Sequence, residues 1–274
     1  MAYYTDERQY FDELEQHNHL KKILCDGDSW FSIPDIANIP IQLDSQFDLS
    51  ILCLADPGAT LAELAGGMPF ARLQRLLHEP QFGQHWDAIL ISSGGNDVLG
   101  PDIQRMLQPA SGDQVQDYIN NAAQEQVYAT IRQRIEAILA VRDQSPINAD
   151  TPVIFHSYSY MTPRNVAHRV LAFNVAGPWV YPALLALGIT DSALQQAISR
   201  ELTDRFYQLL QSIAADARRN FHVVDVRSVI APVPASERDG QAALWSDEIH
   251  PNSAGFACLT EQGFALMLRQ LGIV

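Results

Sequence analysis

A doubly wound α/β fold is what the sequence predicts, on two observations. Five short apolar runs recur along the chain: "KILCD" (22–26), "LSILCLA" (49–55), "AILISS" (88–93), "PVIFHSYS" (152–159) and "FHVVDV" (221–226). Each is continuous rather than alternating, the pattern of parallel strands covered on both faces. Longer stretches with helical spacing separate them, at 60–79, 113–144 and 191–219, and a last one runs from about Pro251 to Leu271. Strands and helices alternating in this way build a parallel sheet with crossovers on its two sides. Ligands of such sheets bind beyond the carboxyl ends of the strands.

Taken in order, "TDERQYFDELEQ" predicts a short helical extension within residues 1–20, docked through Tyr10, Phe11 and Leu14. The five runs then predict five strands. The segment 160–190 is the one long connection that a simple crossover helix does not explain, and it is expected to be an insertion near the mouth of the site. Within it, the apolar stretch 172–189 carries Phe173, Trp179 and Tyr181. It reads either as a helix pair completing the core or as an acyl-chain pocket or lid. No repeat, low-complexity tract or Gly/Ser linker divides the chain, so residues 1–274 are expected to form a single domain.

Composition narrows the function. The chain has 274 residues and a formal charge of −14, which opposes nucleic-acid binding through clustered basic side chains and adhesion to anionic lipid. No apolar run reaches the length of a spanning helix, so stable membrane insertion is not expected. The N-terminus lacks the basic-then-apolar order of a secretory signal. Cys25, Cys53 and Cys258 are too few and too scattered for a disulfide framework or a zinc knuckle. Together these features point to a cytoplasmic protein.

Four patterns fall where such a sheet places its ligands. After the first strand stands Asp26-Gly27-Asp28-Ser29-Trp30, where Gly27 allows a tight exit and Ser29 opens a helical turn. After the third comes "SSGGNDVLG", whose Asn96 amide could donate to a developing oxyanion. Between them, after the second strand, Gly58 lets backbone approach a ligand closely. Near the C-terminus, "LWSDEIHPNSAGF" sets Asp247 three residues before His250, so the carboxylate can hold one imidazole nitrogen while the other faces Ser29. Each pattern alone also reads as a helix cap or a turn. Their joint occurrence, in order, carries the argument.

These residues resemble the GDSL/SGNH hydrolase superfamily, whose Ser, Gly, Asn and His match Ser29, Gly58, Asn96 and His250 here. The resemblance runs from about Lys22 to Leu271. It implies a three-layer α/β/α sandwich of flavodoxin-like type with a five-stranded parallel sheet. It also implies a carboxylic-ester hydrolase of esterase, lipase or thioesterase character that needs no cofactor. By the family pattern Ser29 is the nucleophile, His250 the base and acid, and Asp247 the orienting acid. Ser29 and Gly58 N–H groups with the Asn96 amide form the oxyanion hole. The chain departs from the pattern at Asp56, where the family has Asn, and at Trp30 and Phe31, which are bulkier than usual. Trp30, Trp179 and Tyr181 are the expected substrate-binding side chains.

Two rival classes exist. Asp26, Asp28, Asp97 and Asp247 with His250 could form a divalent-metal phosphoesterase site, or the fold could serve as a non-catalytic binding module. Asp28 and Asp97 are better explained as turn-fixing groups. His156 and His222 are expected in the core or at a sheet edge. His17, His19, His78, His85 and His168 are expected at the surface, and Arg164 and Arg169 in solvent.

Overall fold

The structure, a computed structural model, describes residues 2–79, 82, 84–100, 103–109, 112, 114–170, 173–238 and 242–274. A six-stranded sheet forms its centre. The strands are β1 (Ala2–Tyr4), β2 (Lys21–Gly27), β3 (Leu49–Cys53), β4 (Ala88–Ser92), β5 (Val153–His156) and, after the inserted hairpin strands β6 (His168–Val170) and β7 (Phe173–Ala176), β8 (Phe221–Val224). Their order is β1-β3-β2-β4-β5-β8, and every pair is parallel. All five expected strands are present. The interior ones are buried along most of their length, which is why their sequences are unbroken apolar runs.

The sheet has one strand more than the five expected. Ala2–Tyr4 adds to the outer side of β3 as the edge strand, in the register Ala2↔Ser50 to Tyr4↔Leu52, and the Ala2 N–H donates to Asp44 Oδ1 at 3.0 Å. Three residues give no periodicity to detect, and an edge strand needs only a free neighbour. The extension then continues as helices Glu7–Asp12 and Leu14–His17. Tyr10 is fully buried and stacks on Trp86, while Phe11 and Leu14 pack against the core.

Helices Gly67–His78, Asn121–Asp143 and Ser192–Ala214 pack together. Helix Ile39–Gln46 packs with the C-terminal run Ser253–Gln270, which contains one π-helical turn at Thr260–Phe264. The stretch 60–79 is divided at Gly66-Gly67 into Leu61–Leu64 and Gly67–His78, because two glycines are poor helix formers. The helix pair considered for 172–189 does not form. Ala172 lies outside the described residues; from Phe173 the chain makes β7, antiparallel to β6, and then one helix, Val180–Ala186. Phe173 is 74% exposed and so does not complete a core. Among the described residues no helix is long and apolar enough to cross a membrane.

The chain leaves β2 on one side for β3 and returns on the other for β4, so the strand order reverses beside β2. That reversal opens a crevice at the carboxyl ends. Gly27 closes β2 with φ +135°, and a Cβ there would stand 2.0 Å from the Ser92 carbonyl oxygen of β4. Only glycine lets the two backbones approach this closely. Gly27→Ala is therefore expected to cost about 3 kcal/mol or more of stability. Urea unfolding measures it, and a loss below about 1 kcal/mol contradicts the packing described for the strand exit.

Candidate active site

Ser29 begins a single helical turn, Ser29–Ser32, immediately after β2. Its cap is Asp28, whose Oδ1 accepts the Trp30 N–H at 3.0 Å and the Ser92 hydroxyl at 2.5 Å, while Oδ2 accepts the Tyr158 hydroxyl. Burial pushes the Asp28 carboxyl up to about 6 against the pull of those three donors. Asp28 is thus a bracket between β2, β4 and the segment after β5, as its turn-fixing role predicts.

The C-terminal loop supplies the second part. Ser29 Oγ lies 2.7 Å from His250 Nε2, and His250 Nδ1 lies 2.8 Å from Asp247 Oδ2. Asp247 Oδ1 also accepts the backbone N–H groups of Ile249 and His250, at 2.9 and 2.8 Å. A carboxylate can only accept, so Nδ1 carries the ring proton and Nε2 is left to receive the Ser29 hydroxyl proton. Residues 221 apart in the chain are joined by one hydrogen bond.

Asp247 is fully buried. Burial would raise its carboxyl, but hydrogen bonds from His168 and His250, with the His250 charge and backbone N–H, hold it well below the usual carboxylate range. His168 Nδ1 donates to Asp247 Oδ2 at 3.0 Å. The surface position expected for His168 is incorrect: its side chain is buried, because β6 carries it from the insertion onto Asp247. Arg164 is likewise buried rather than solvated, and its Nη2 donates to the Asp247 carbonyl oxygen at 2.7 Å. His17 is buried too, bonded to Ser50 Oγ at 2.6 Å. A lone His or Arg far from its partner in sequence leaves no spacing by which to find it.

Glu248 is a further residue that the motifs did not flag. Its buried carboxylate accepts the N–H groups of Val180 and Tyr181 at 2.9 and 2.7 Å, and that of Trp179 as well. An anion at a helix start offsets its unpaired N–H groups. Burial still raises the Glu248 carboxyl above its ordinary range. The contact anchors helix Val180–Ala186 and seats the Trp179 ring edge-on against His250, with centroids 5.3 Å apart.

Ser29, Gly58, Asn96 and His250 line one cavity of about 170 Å³, walled also by Ile33, Pro34, Ala176 and Trp179. Gly58 has φ +84° in the loop after β3, and the Asp56 N–H that precedes it bonds the Gly27 carbonyl at 2.9 Å. Asn96 Nδ2 donates to the Ala59 carbonyl at 2.9 Å, tying the β4 loop to the Gly58 loop. A second, smaller cavity of about 30 Å³ adjoins Ser29 and Asn96 on the side of Trp30, Tyr158 and Met161. Trp30 itself is buried, stacked on His156 with centroids 5.4 Å apart. Tyr181 is not a wall of either cavity; the Arg238 guanidinium covers its ring at 4.6 Å.

The carboxylates of the metal alternative have other partners. Asp26 pairs with Arg72 at 3.0 Å, and Asp97 accepts from Leu61 N and Arg134 Nη1 at 2.8 and 3.1 Å. Among the described residues, the one three-residue group of suitable donors is His168, Asp247 and His250. In that group both imidazole Nδ1 atoms are hydrogen-bonded to the same carboxylate.

Removing the Glu248 carboxylate leaves four N–H groups, those of Trp179, Val180, Tyr181 and Arg164, without their acceptor. Glu248→Ala is expected to lower stability by about 3 kcal/mol, because each lost acceptor costs roughly 1–3 kcal/mol and the backbone relaxes in part. Denaturant unfolding at neutral pH measures it, and a change under about 1 kcal/mol contradicts the anchoring role.

Three solved structures are similar to this chain at low identity. A member of the lipolytic protein G-D-S-L family from Veillonella parvula DSM 2008 is 16% identical, with 91% of this chain and 98% of that one covered and a TM-score of 0.47. The SGNH-hydrolase family esterase AlinE4 is also 16% identical, with 92% and 96% covered and a TM-score of 0.41. The periplasmic domain of a lipopolysaccharide acetyltransferase from Salmonella ser. Paratyphi A is 10% identical, with 96% and 97% covered and a TM-score of 0.43. No curated protein matches the sequence. Residues 40–258 match the GDSL-like lipase/acylhydrolase family as a whole. A match over most of the chain makes this protein a member of the GDSL-like lipase/acylhydrolase family.

Proposed function

We propose that the protein hydrolyses carboxylic esters through an acyl-enzyme on Ser29. The observation that carries this reading is the unbroken hydrogen-bond chain Ser29 Oγ–His250 Nε2, His250 Nδ1–Asp247. A hydroxyl is a weak nucleophile until a base takes its proton, and the base needs a carboxylate to fix its tautomer and stabilise its charged form. Ser29 Oγ attacks the acyl carbon as His250 takes the hydroxyl proton. The carbonyl π electrons move onto oxygen, which the N–H groups of Ser29 and Gly58 and the free N–H of the Asn96 amide receive. The intermediate collapses, the C–O bond to the alcohol breaks, and His250 returns its proton to the departing oxygen. Water then repeats the sequence and releases the acid.

The two cavities suggest how the substrate divides. The leaving oxygen must lie near His250, which borders the cavity of about 170 Å³; the acyl group then falls toward the cavity of about 30 Å³, which borders Ser29 and Asn96 without His250. A space of that size holds a methyl or ethyl group, so short acyl esters are the preferred class. Trp179, on the His250 side, then meets the alcohol portion. The three free thiols, two of them buried, support the cytoplasmic setting of this reading.

Ser29→Ala and His250→Ala are each expected to lose at least ~10³-fold in kcat/KM with a p-nitrophenyl ester, and Asn96→Ala about 10²–10³-fold. A Ser29→Ala protein that keeps most of its turnover contradicts the reading. With wild type, p-nitrophenyl acetate or propionate is expected to exceed the octanoate by roughly 10-fold or more in kcat/KM. Met161→Ala is expected to shift the optimum to longer acyl chains, and Trp179→Ala to leave it in place. The reverse outcome for these two variants contradicts the division into acyl and alcohol sides.

A further inference from the structure

We infer that His168 is a positioning residue that sets the base strength of His250 through their shared partner, Asp247. The inference rests on the proposed ester-hydrolase reading. Asp247 Oδ2 receives two imidazole N–H groups at once, from His250 at 2.8 Å and from His168 at 3.0 Å. The His168 side chain is nine-tenths buried, and among the described residues its Nε2 has no hydrogen-bond partner and its ring has one, this carboxylate. The two rings meet edge to face with centroids 5.7 Å apart, and each borders the cavity beside Ser29.

A donor on a carboxylate has two effects. It fixes the plane of the group, here so that the same oxygen faces His250, and it takes up part of the negative charge. The less charge Asp247 presents, the less it stabilises protonated His250, and the lower the pH at which His250 becomes a free base. The depressed Asp247 carboxyl agrees with two imidazole donors acting together. The other charged groups around the pair come from separate elements. Arg164 donates to the Asp247 carbonyl, Glu248 faces the N-terminus of helix Val180–Ala186, and Asp28 lies behind Ser29 among its own donors. None of them bonds the His168 side chain. The hairpin β6–β7 thereby becomes part of the reacting site, since it carries the imidazole that tunes the acid.

Two amide substitutions test this. In His168→Asn the amide nitrogen takes nearly the place of Nδ1 and can still donate to Asp247; in His168→Gln it falls nearer the place of Nε2 and cannot. The readout is the pH profile of kcat/KM for p-nitrophenyl acetate, with circular dichroism and thermal melts recorded alongside. His168→Gln is expected to lose about 10-fold or more in kcat/KM at neutral pH and to move the acid limb upward by about half a pH unit or more. His168→Asn is expected to restore both toward wild type. Equal losses in the two variants with an unmoved acid limb overturn the inference and leave His168 as packing alone. Should His168→Gln fail to fold, His168→Leu replaces it against the same Asn variant. Ser29→Ala run in parallel separates the failures: if it retains turnover, the hydrolase reading itself falls, whereas an inert Ser29→Ala with equivalent Asn and Gln variants removes only the role of His168.

Discussion

A carboxylate with no solvent must be matched by donors, and Asp247 is such a group. Left unpaired, it would protonate or unfold its surroundings. It is instead met by two imidazole N–H groups and two backbone N–H groups, drawn from the inserted hairpin and from its own loop. The geometry of His250 follows from that requirement, because the same carboxylate that needs donors fixes which ring nitrogen carries the proton. Ser29 is the last member of the chain, delivered to Nε2 by the sharp exit of β2 beside β4.

The insertion is bound to the site by the same kind of requirement, one residue later in sequence. Glu248 is buried and anionic, and the N-terminus of the helix after β7 answers it with backbone N–H groups. Arg164, at the other end of the insertion, reaches the carbonyl of Asp247. Two consecutive acidic residues therefore divide the labour: Asp247 orients the imidazole, and Glu248 holds the segment that walls it. The Trp179 ring reaches His250 as a consequence of that anchoring.

Much of this was legible in the residues. Continuous apolar runs marked the five long strands, since burial on both faces demands them, and the motifs at 26–30, 94–97 and 247–250 marked the groups that meet at the strand ends. The legible elements share a cause: local pattern and burial agree. What was not legible lacked local pattern. β1 is three residues long and exists only because β3 offers a free edge. His168 lies 79 residues from Asp247, and Arg164 lies 83, so neither shows a spacing that relates it to the site. The apolar character of 172–189 read as a helix pair or an acyl-chain lid, but from Phe173 the glycine and prolines around Trp179 divide it into a strand and one helix.

The most direct measurement of the central claim is covalent: treat the wild-type protein and His250→Ala with a fluorophosphonate and map the adduct by peptide mass spectrometry. An activated hydroxyl attacks phosphorus as it attacks an acyl carbon, with loss of fluoride and transfer of the proton to the base. The account predicts one adduct per chain, on Ser29, with labelling abolished in His250→Ala. An adduct on another serine, or equal labelling of Ser29 without His250, contradicts it.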